Sequence, residues 1–171
     1  EAPGLAEPIV EAWVVGLAAG YLIGSIPIGL WVARYGCGID LRSGGSGKIG
    51  TTNALRRLGL KWSIPIFAGD VGKGVLPVVI VMVAFDSPTA EVLAALAALI
   101  GHIYPLYAGF RGGRAAATGF GALLTLTPLA AGIALATGVV LLAGTRIMSL
   151  TVLLCLTIAA SVQGLLIAYG D

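Results

Sequence analysis

Long apolar runs, separated by short polar and glycine-rich segments, dominate this chain. They extend from about Ile9 to Val32, Ser63 to Phe85, Val92 to Tyr107, Thr118 to Gly144, and Ile147 to Tyr169. A helix needs about 20 mainly apolar residues to cross a bilayer. In lipid only helices and closed barrels satisfy their own backbone. These runs are too long and continuous for barrel strands of about 10 residues. The pattern therefore predicts an all-α, polytopic integral membrane bundle of about 5–7 spans, some short or broken, carrying cytoplasmic glycine-rich loops. No repeat, low-complexity tract or soluble domain interrupts it, so residues 1–171 read as one membrane domain.

The pattern also locates the irregularities. Gly16, Gly20 and Gly24 recur every fourth residue in the first run, a smooth strip that a second helix can approach closely. Pro27 follows in GSIPIG and bends or opens this helix near its end. The second run holds Asp70 and Lys73, three apart on one helical face, roughly 10–15 Å from the start of the span at 1.5 Å per residue. Charges at such depth face a bundle interior or water, either as an ion pair locking two helices or as a cavity wall. The third run carries His102 and Pro105, with a hydrogen-bonded structural histidine as the expectation. The run after Thr118 is long for one span and short for two. Pro128 splits it, and the positive-inside rule favours two short or re-entrant helices that return Arg146 to the cytoplasm.

Composition changes this picture little. Of 171 residues 58% are hydrophobic and 11% charged, against about 25% charged in soluble domains. The net charge of +2 says less than its placement. From Ala33 to Trp62 lie Arg34, Arg42, Lys48, Arg56, Arg57 and Lys61 against the single acid Asp40, which puts this segment in the cytoplasm. The acidic start, EAPGLAEP, lacks the basic region of a signal peptide, so the first run is expected to be a true span. Cys37, in the basic loop, and Cys155, in an apolar run, form no metal or redox pattern. No metal, cofactor or nucleic acid is implied.

The candidate chemistry concentrates in LRSGGSGKIGTTNALRR, Leu41–Arg57. Its glycines can turn backbone N–H groups toward an anion. Ser46, Thr51, Thr52 and Asn53 add donors, and Lys48, Arg56 and Arg57 add charge suited to phosphate. A short helix from Asn53 would aim its N-terminus at the same anion. A second basic turn, FRGGRAAATGFG, places Arg111 and Arg114 around Gly112 and Gly113. The two segments are expected to face each other at one end of the bundle. The nucleotide P-loop is excluded, because Arg42 stands where glycine is needed and Ile49 where serine or threonine is needed. The acyltransferase class with an Asp placed after a His is excluded too, since Tyr107 occupies that position relative to His102.

These motifs together resemble the bacterial acyl-phosphate:glycerol-3-phosphate acyltransferase family, often called PlsY. GSIPIG is similar to its first-helix signature. SGKIGTTNALRRLG resembles its first catalytic motif, and Asp70, Lys73 and Gly74 match its Asp-x-x-Lys-Gly element. GHIYPLYAGFRGGRAAAT resembles its second motif, and Arg146 and Ser149 fall at its third. The resemblance implies transfer of a fatty acyl group from acyl-phosphate to the 1-hydroxyl of glycerol 3-phosphate, at the cytoplasmic side of a bacterial inner membrane. It implies that Ser46, Arg56, Arg114 and Ser149 contact glycerol 3-phosphate or the transferred carbonyl. Arg111, Gly112 and Gly113 would shape the acyl-phosphate pocket. Gly47 and Lys48 would line the substrate site, Thr52 and Asn53 would support the loop, and His102 would stand behind the second motif. Lys48 departs from the usual Asn, Arg114 from Lys, and Ala115 from Gly. The family's last span and its basic tail with His and Asn are expected to be lacking, because the sequence ends at Asp171. A small transporter or anion-binding membrane protein, or an inactive homologue, is the competing expectation.

Overall fold

The computed structural model describes residues 6–145 and 148–169, and every regular element among them is helical. Its helices are α1 (Ala6–Gly24), α2 (Ile28–Cys37), α3 (Thr51–Leu58), α4 (Leu60–Phe85), α5 (Pro88–Ile103), α6 (Ala116–Leu126), α7 (Pro128–Thr145) and α8 (Met148–Tyr169). Short 3-10 turns at Leu41–Ser43 and Leu106–Ala108 complete the path. Among the described residues four stretches are long and apolar enough to cross a membrane: Ile9–Cys37, Leu60–Phe85, Pro88–Ala108 and Pro128–Thr145. The chain divides into two compact units, Glu1–Ala122 and Leu123–Asp171.

The first unit is built on close helix approach. α1 lies along α5, and the glycine strip is the reason. A Cβ at Gly20 or Gly24 would collide with the carbonyl of Ala94 or Ala98. Small residues of this kind let membrane helices gain van der Waals contact that lipid does not offer. α6 crosses α4 in the same way, with Gly74 against Thr118 and Gly121 against Val71.

The first span is interrupted where Pro27 predicts it. α1 stops at Gly24, and α2 resumes at Ile28. The second half, however, runs on to Cys37 rather than ending near Val32. Gly38 closes it in the left-handed conformation, φ 68°, with its N–H on the Arg34 carbonyl and the Ile39 N–H on the Ala33 carbonyl, the usual glycine stop after a helix. Cys37 is thus the last residue of a helix and not part of the loop. Both cysteines are free thiols.

The α4–α5 corner follows local rules. Asp86 turns the chain at φ 45°. Ser87 caps α5 by accepting from the Ala90 N–H at 3.4 Å, and Pro88 occupies the first turn, where its missing N–H costs nothing. In the second unit Pro128 starts α7, which agrees with the predicted split of the apolar run. α7 and α8 pack through Ala130, Ala134 and Ala159. The Cys155 thiol donates to the Ala134 carbonyl at 3.2 Å. Arg146 lies outside the described residues, and of Ser149 only the backbone, in the first turn of α8, is described.

Candidate active site

The glycine-rich segment is held by one side chain. Asn53 is buried, at 2% exposure. Its amide nitrogen donates to the carbonyls of Leu41 at 2.9 Å, Gly44 at 3.3 Å and Lys48 at 2.8 Å. Its amide oxygen accepts from the Ser46 N–H at 3.0 Å. These bonds close residues 41–48 into a ring around Asn53, so this side chain is a frame for the loop. Gly45 and Gly47 take positive φ, 62° and 68°, whereas Gly44 and Gly50 are extended or ordinary. α3 begins at Thr51, two residues ahead of the expected start. Ser46, Gly47, Lys48 and Arg56 are exposed on this frame, and Thr52 is half-buried beside it.

Arg57, one of the expected cations, and Arg42 beside it are engaged with the loop itself. The Arg42 guanidinium grips Asp40 through Nε and Nη2, at 3.0 and 2.7 Å, and donates through Nη1 to the Ala108 carbonyl at 3.3 Å. Arg57 donates to the Asp40 carbonyl at 2.7 Å. The Arg42 guanidinium holds the Asp40 carboxyl down from 3.8 to about 2. A carboxylate depressed in this way adds stability above its ordinary value and gives it up as pH falls toward about 2. Partial exposure keeps the amount small. The Arg42 bond to Ala108 ties the first loop to the second, and an apolar contact of Leu30, Ile49 and Ala108 ties them again.

The second segment is set by lack of room. The Gly112 N–H donates to the Ile103 carbonyl at 3.2 Å and the Gly113 N–H to the His102 carbonyl at 3.0 Å. A Cβ at Gly112 would collide with the His102 carbonyl, and one at Gly113 with the imidazole. Arg111 and Arg114 are exposed on either side. Ala115 adopts φ 57°, the conformation that suits the glycine expected there. The left-handed region costs an alanine about 1–2 kcal/mol, and a buried methyl group returns about 0.8 kcal/mol. Ala115→Gly is therefore expected to leave thermal unfolding unchanged or slightly raised. Ala115→Val, β-branched at the same φ, is expected to lower it clearly.

Beneath both loops lies a buried polar cluster. The Lys73 ammonium pairs with Asp70 at 3.1 Å and donates to the Ile26 carbonyl at 2.9 Å. Asp70 faces His102 Nδ1 at 3.6 Å, and the Thr118 hydroxyl is 3.1 Å from the same nitrogen. Asp70, Lys73, His102 and Thr118 are all nearly inaccessible. Of the two readings of the Asp70–Lys73 pair, the helix lock is the observed one, and its third partner is the carbonyl at the break in the first span. Sequence spacing could suggest the pair but not Ile26, which lies 47 residues away. An open apolar groove of about 690 Å³ runs along α4 from Phe67 past Gly72 to Val79, with Phe120 on its rim.

The family model for glycerol-3-phosphate acyltransferase matches residues 14–169. The chain belongs to the glycerol-3-phosphate acyltransferase family. Among the family's curated proteins, a glycerol-3-phosphate acyltransferase of Anaeromyxobacter sp. (strain Fw109-5) is 46% identical over 122 residues, covering 69% of this chain and 60% of that protein. One from Exiguobacterium sibiricum is 48% identical over 113 residues, covering 66% and 54%. This family member thus spans 54–60% of the length of these two relatives. It is also similar to crystal structures of PlsY (YgiH), an integral membrane glycerol 3-phosphate acyltransferase. The glycerol 3-phosphate form gives a TM-score of 0.80 at 34% identity, and the lysophosphatidic acid form 0.76 at 31%, each covering 87% of this chain and 74% of that one. Family membership and these matches agree with the all-helical membrane architecture.

Proposed function

We propose that this chain transfers a fatty acyl group from acyl-phosphate to the 1-hydroxyl of glycerol 3-phosphate, giving lysophosphatidic acid and inorganic phosphate. The observation that carries the reading is that two cation-bearing glycine turns, Ser46–Gly50 and Arg111–Arg114, lie on segments tied together by the Arg42–Ala108 hydrogen bond and the Leu30, Ile49, Ala108 contact. Lys48 and Arg56 stand exposed on the first, and Arg111 and Arg114 on the second. Two phosphorylated substrates side by side need that distribution of charge. The new bond joins O1 of glycerol 3-phosphate to the acyl carbon, and the acyl carbon–oxygen bond to phosphate breaks. The proton of the hydroxyl goes to a substrate phosphate oxygen, so no side-chain base is required.

Ser46, Arg56 and Arg114 hold glycerol 3-phosphate and the carbonyl. Gly112, Gly113 and Arg111 cradle the donor phosphate. Gly47 and Lys48 complete the rim, and the acyl tail lies in the groove along α4. Holding the two substrates in line converts a bimolecular encounter into a local one, worth up to about 7–11 kcal/mol. The cationic end faces the cytoplasm of a bacterial inner membrane by the positive-inside rule. What supports an enzyme over a transporter is the use made of Asp70 and Lys73: they bond to each other, Lys73 also donates to the Ile26 carbonyl, and His102 lies against Asp70.

The test is phosphate release by purified protein supplied with acyl-phosphate and glycerol 3-phosphate. Release is expected to require both substrates. Arg56→Ala and Arg114→Ala are each expected to lower it about 100-fold, the scale of losing one donor to developing charge, in protein that still folds. Absence of release from the wild type, or unchanged rates in both variants, would overturn the assignment.

A further inference from the structure

One buried side chain packs against the second glycine turn and faces the first. His102 is 2% exposed. Its Nδ1 edge is fixed from below by the Thr118 hydroxyl at 3.1 Å, with Asp70 at 3.6 Å. Asp70 is itself held by Lys73. Its Nε2 edge points the other way, toward the loops. That nitrogen lies where a Cβ on Gly113 would collide with it, and 3.9 Å from where a Cβ on Gly50 would sit. The His102 backbone also anchors the second turn, accepting the Gly113 N–H at 3.0 Å.

We propose that His102 is a positioning residue that sets the gap between the two glycine turns, and that the Thr118–Asp70–Lys73 cluster fixes the height of its ring. The inference rests on the reading that the two turns each hold a phosphorylated substrate. A packed interior transmits displacement because it has no free volume to absorb it. The ring is rigid, and it is clamped on the side away from the loops. Its loop-facing edge therefore defines how closely Gly50 and Gly113 approach. His102 needs no contact with either substrate to control the reaction. Misplacing bound groups by about 1 Å is enough to cost roughly 100-fold in rate.

The test reads the gap directly. Leu55 and Tyr107 are exposed, on α3 and on the 3-10 turn of the second segment. Nitroxides at Leu55→Cys and Tyr107→Cys, with Cys37→Ser and Cys155→Ser, report the loop-to-loop distance by double electron–electron resonance in nanodiscs. A narrow distribution is expected with His102 present and a broad one in His102→Ala. Gly113→Ala, which drives a methyl group into the ring, is expected to shift the mean distance. His102→Gln is expected to restore part of the narrow distribution. Should His102→Ala fail to fold, Gly113→Ala and His102→Gln carry the measurement.

In the unlabelled protein His102→Ala is expected to lower kcat about 100-fold and to raise KM for both substrates, whereas a purely structural role would lower only the amount of folded protein. Distributions unchanged in width and mean across the variants would overturn the proposal. A wild type that releases no phosphate would remove the activity and leave the distance result standing. An active wild type with unaltered distances would remove only the role of His102.

Discussion

Asp70→Ala is expected to cost about 3–5 kcal/mol of stability, the scale of stranding one partner of a buried ion pair. Lys73 would be left without its counter-charge at 3% exposure, with the Ile26 carbonyl as its remaining partner, in a helix long and apolar enough to lie in lipid. The His102 imidazole would lose a neighbour at the same time. The double variant Asp70→Leu with Lys73→Met removes both charges and is expected to recover part of the loss. Recovery stays incomplete, because the Ile26 carbonyl at the break in the first span loses its ammonium donor and keeps only the Ile28 N–H at 3.0 Å, a net loss of one hydrogen bond worth about 0.5–1.5 kcal/mol. Unfolding of the purified protein in mixed micelles gives the three values. A double variant no more stable than Asp70→Ala would show that charge is not what the pair contributes.

Asn53→Ala is expected to release the first glycine loop. The amide serves three carbonyls and one N–H within residues 41–48, and no neighbour can replace both its donor and its acceptor. At about 1 kcal/mol for each of the four partners left unmet, the total is about 4 kcal/mol. Asn53→Asp is the sharper variant. It has nearly the same shape, but it sets an anionic oxygen against the carbonyls of Leu41, Gly44 and Lys48, and it is expected to be worse than alanine. Hydrogen exchange across residues 41–50, measured with turnover, reads both effects. Protection equal to wild type in Asn53→Asp would refute the framing role.

The contrast between these two sites shows how far the sequence could be read. Periodicity exposed what depends on near neighbours: the glycine strip that α5 covers, the interruption at Pro27, the split at Pro128, and the i,i+3 pairing of Asp70 with Lys73. Composition located the two cationic turns. What escaped were contacts made across the fold. Arg57 looks like a phosphate ligand in a linear reading, yet the Asp40 carbonyl claims it, and Arg42 is held by the Asp40 carboxylate and the Ala108 carbonyl. Asn53 looks like one more donor, and becomes a frame only because the chain curls back on itself. The end of the first span was misplaced because Arg34, Tyr35 and Gly36 read as polar loop. They sit on the last turn of α2, where Gly36 gives room to the Trp62 ring. The stop signal was present as Gly38, one residue past the helix. The left-handed backbone at Ala115 was legible as a condition, since glycine is the residue expected there.

The riveted interruption of the first span carries a mechanical consequence. Bilayers of unequal thickness tilt or bend the helices within them, and a span broken in the middle could absorb that stress as a loose joint. Here the joint is fastened to α4 by the ammonium on Ile26, and through Asp70 the same fastening faces His102. Bending forces that lipids exert on α1 and α2 are thus delivered to the floor beneath the glycine turns, so that the width of the surrounding membrane becomes an input to the cationic end.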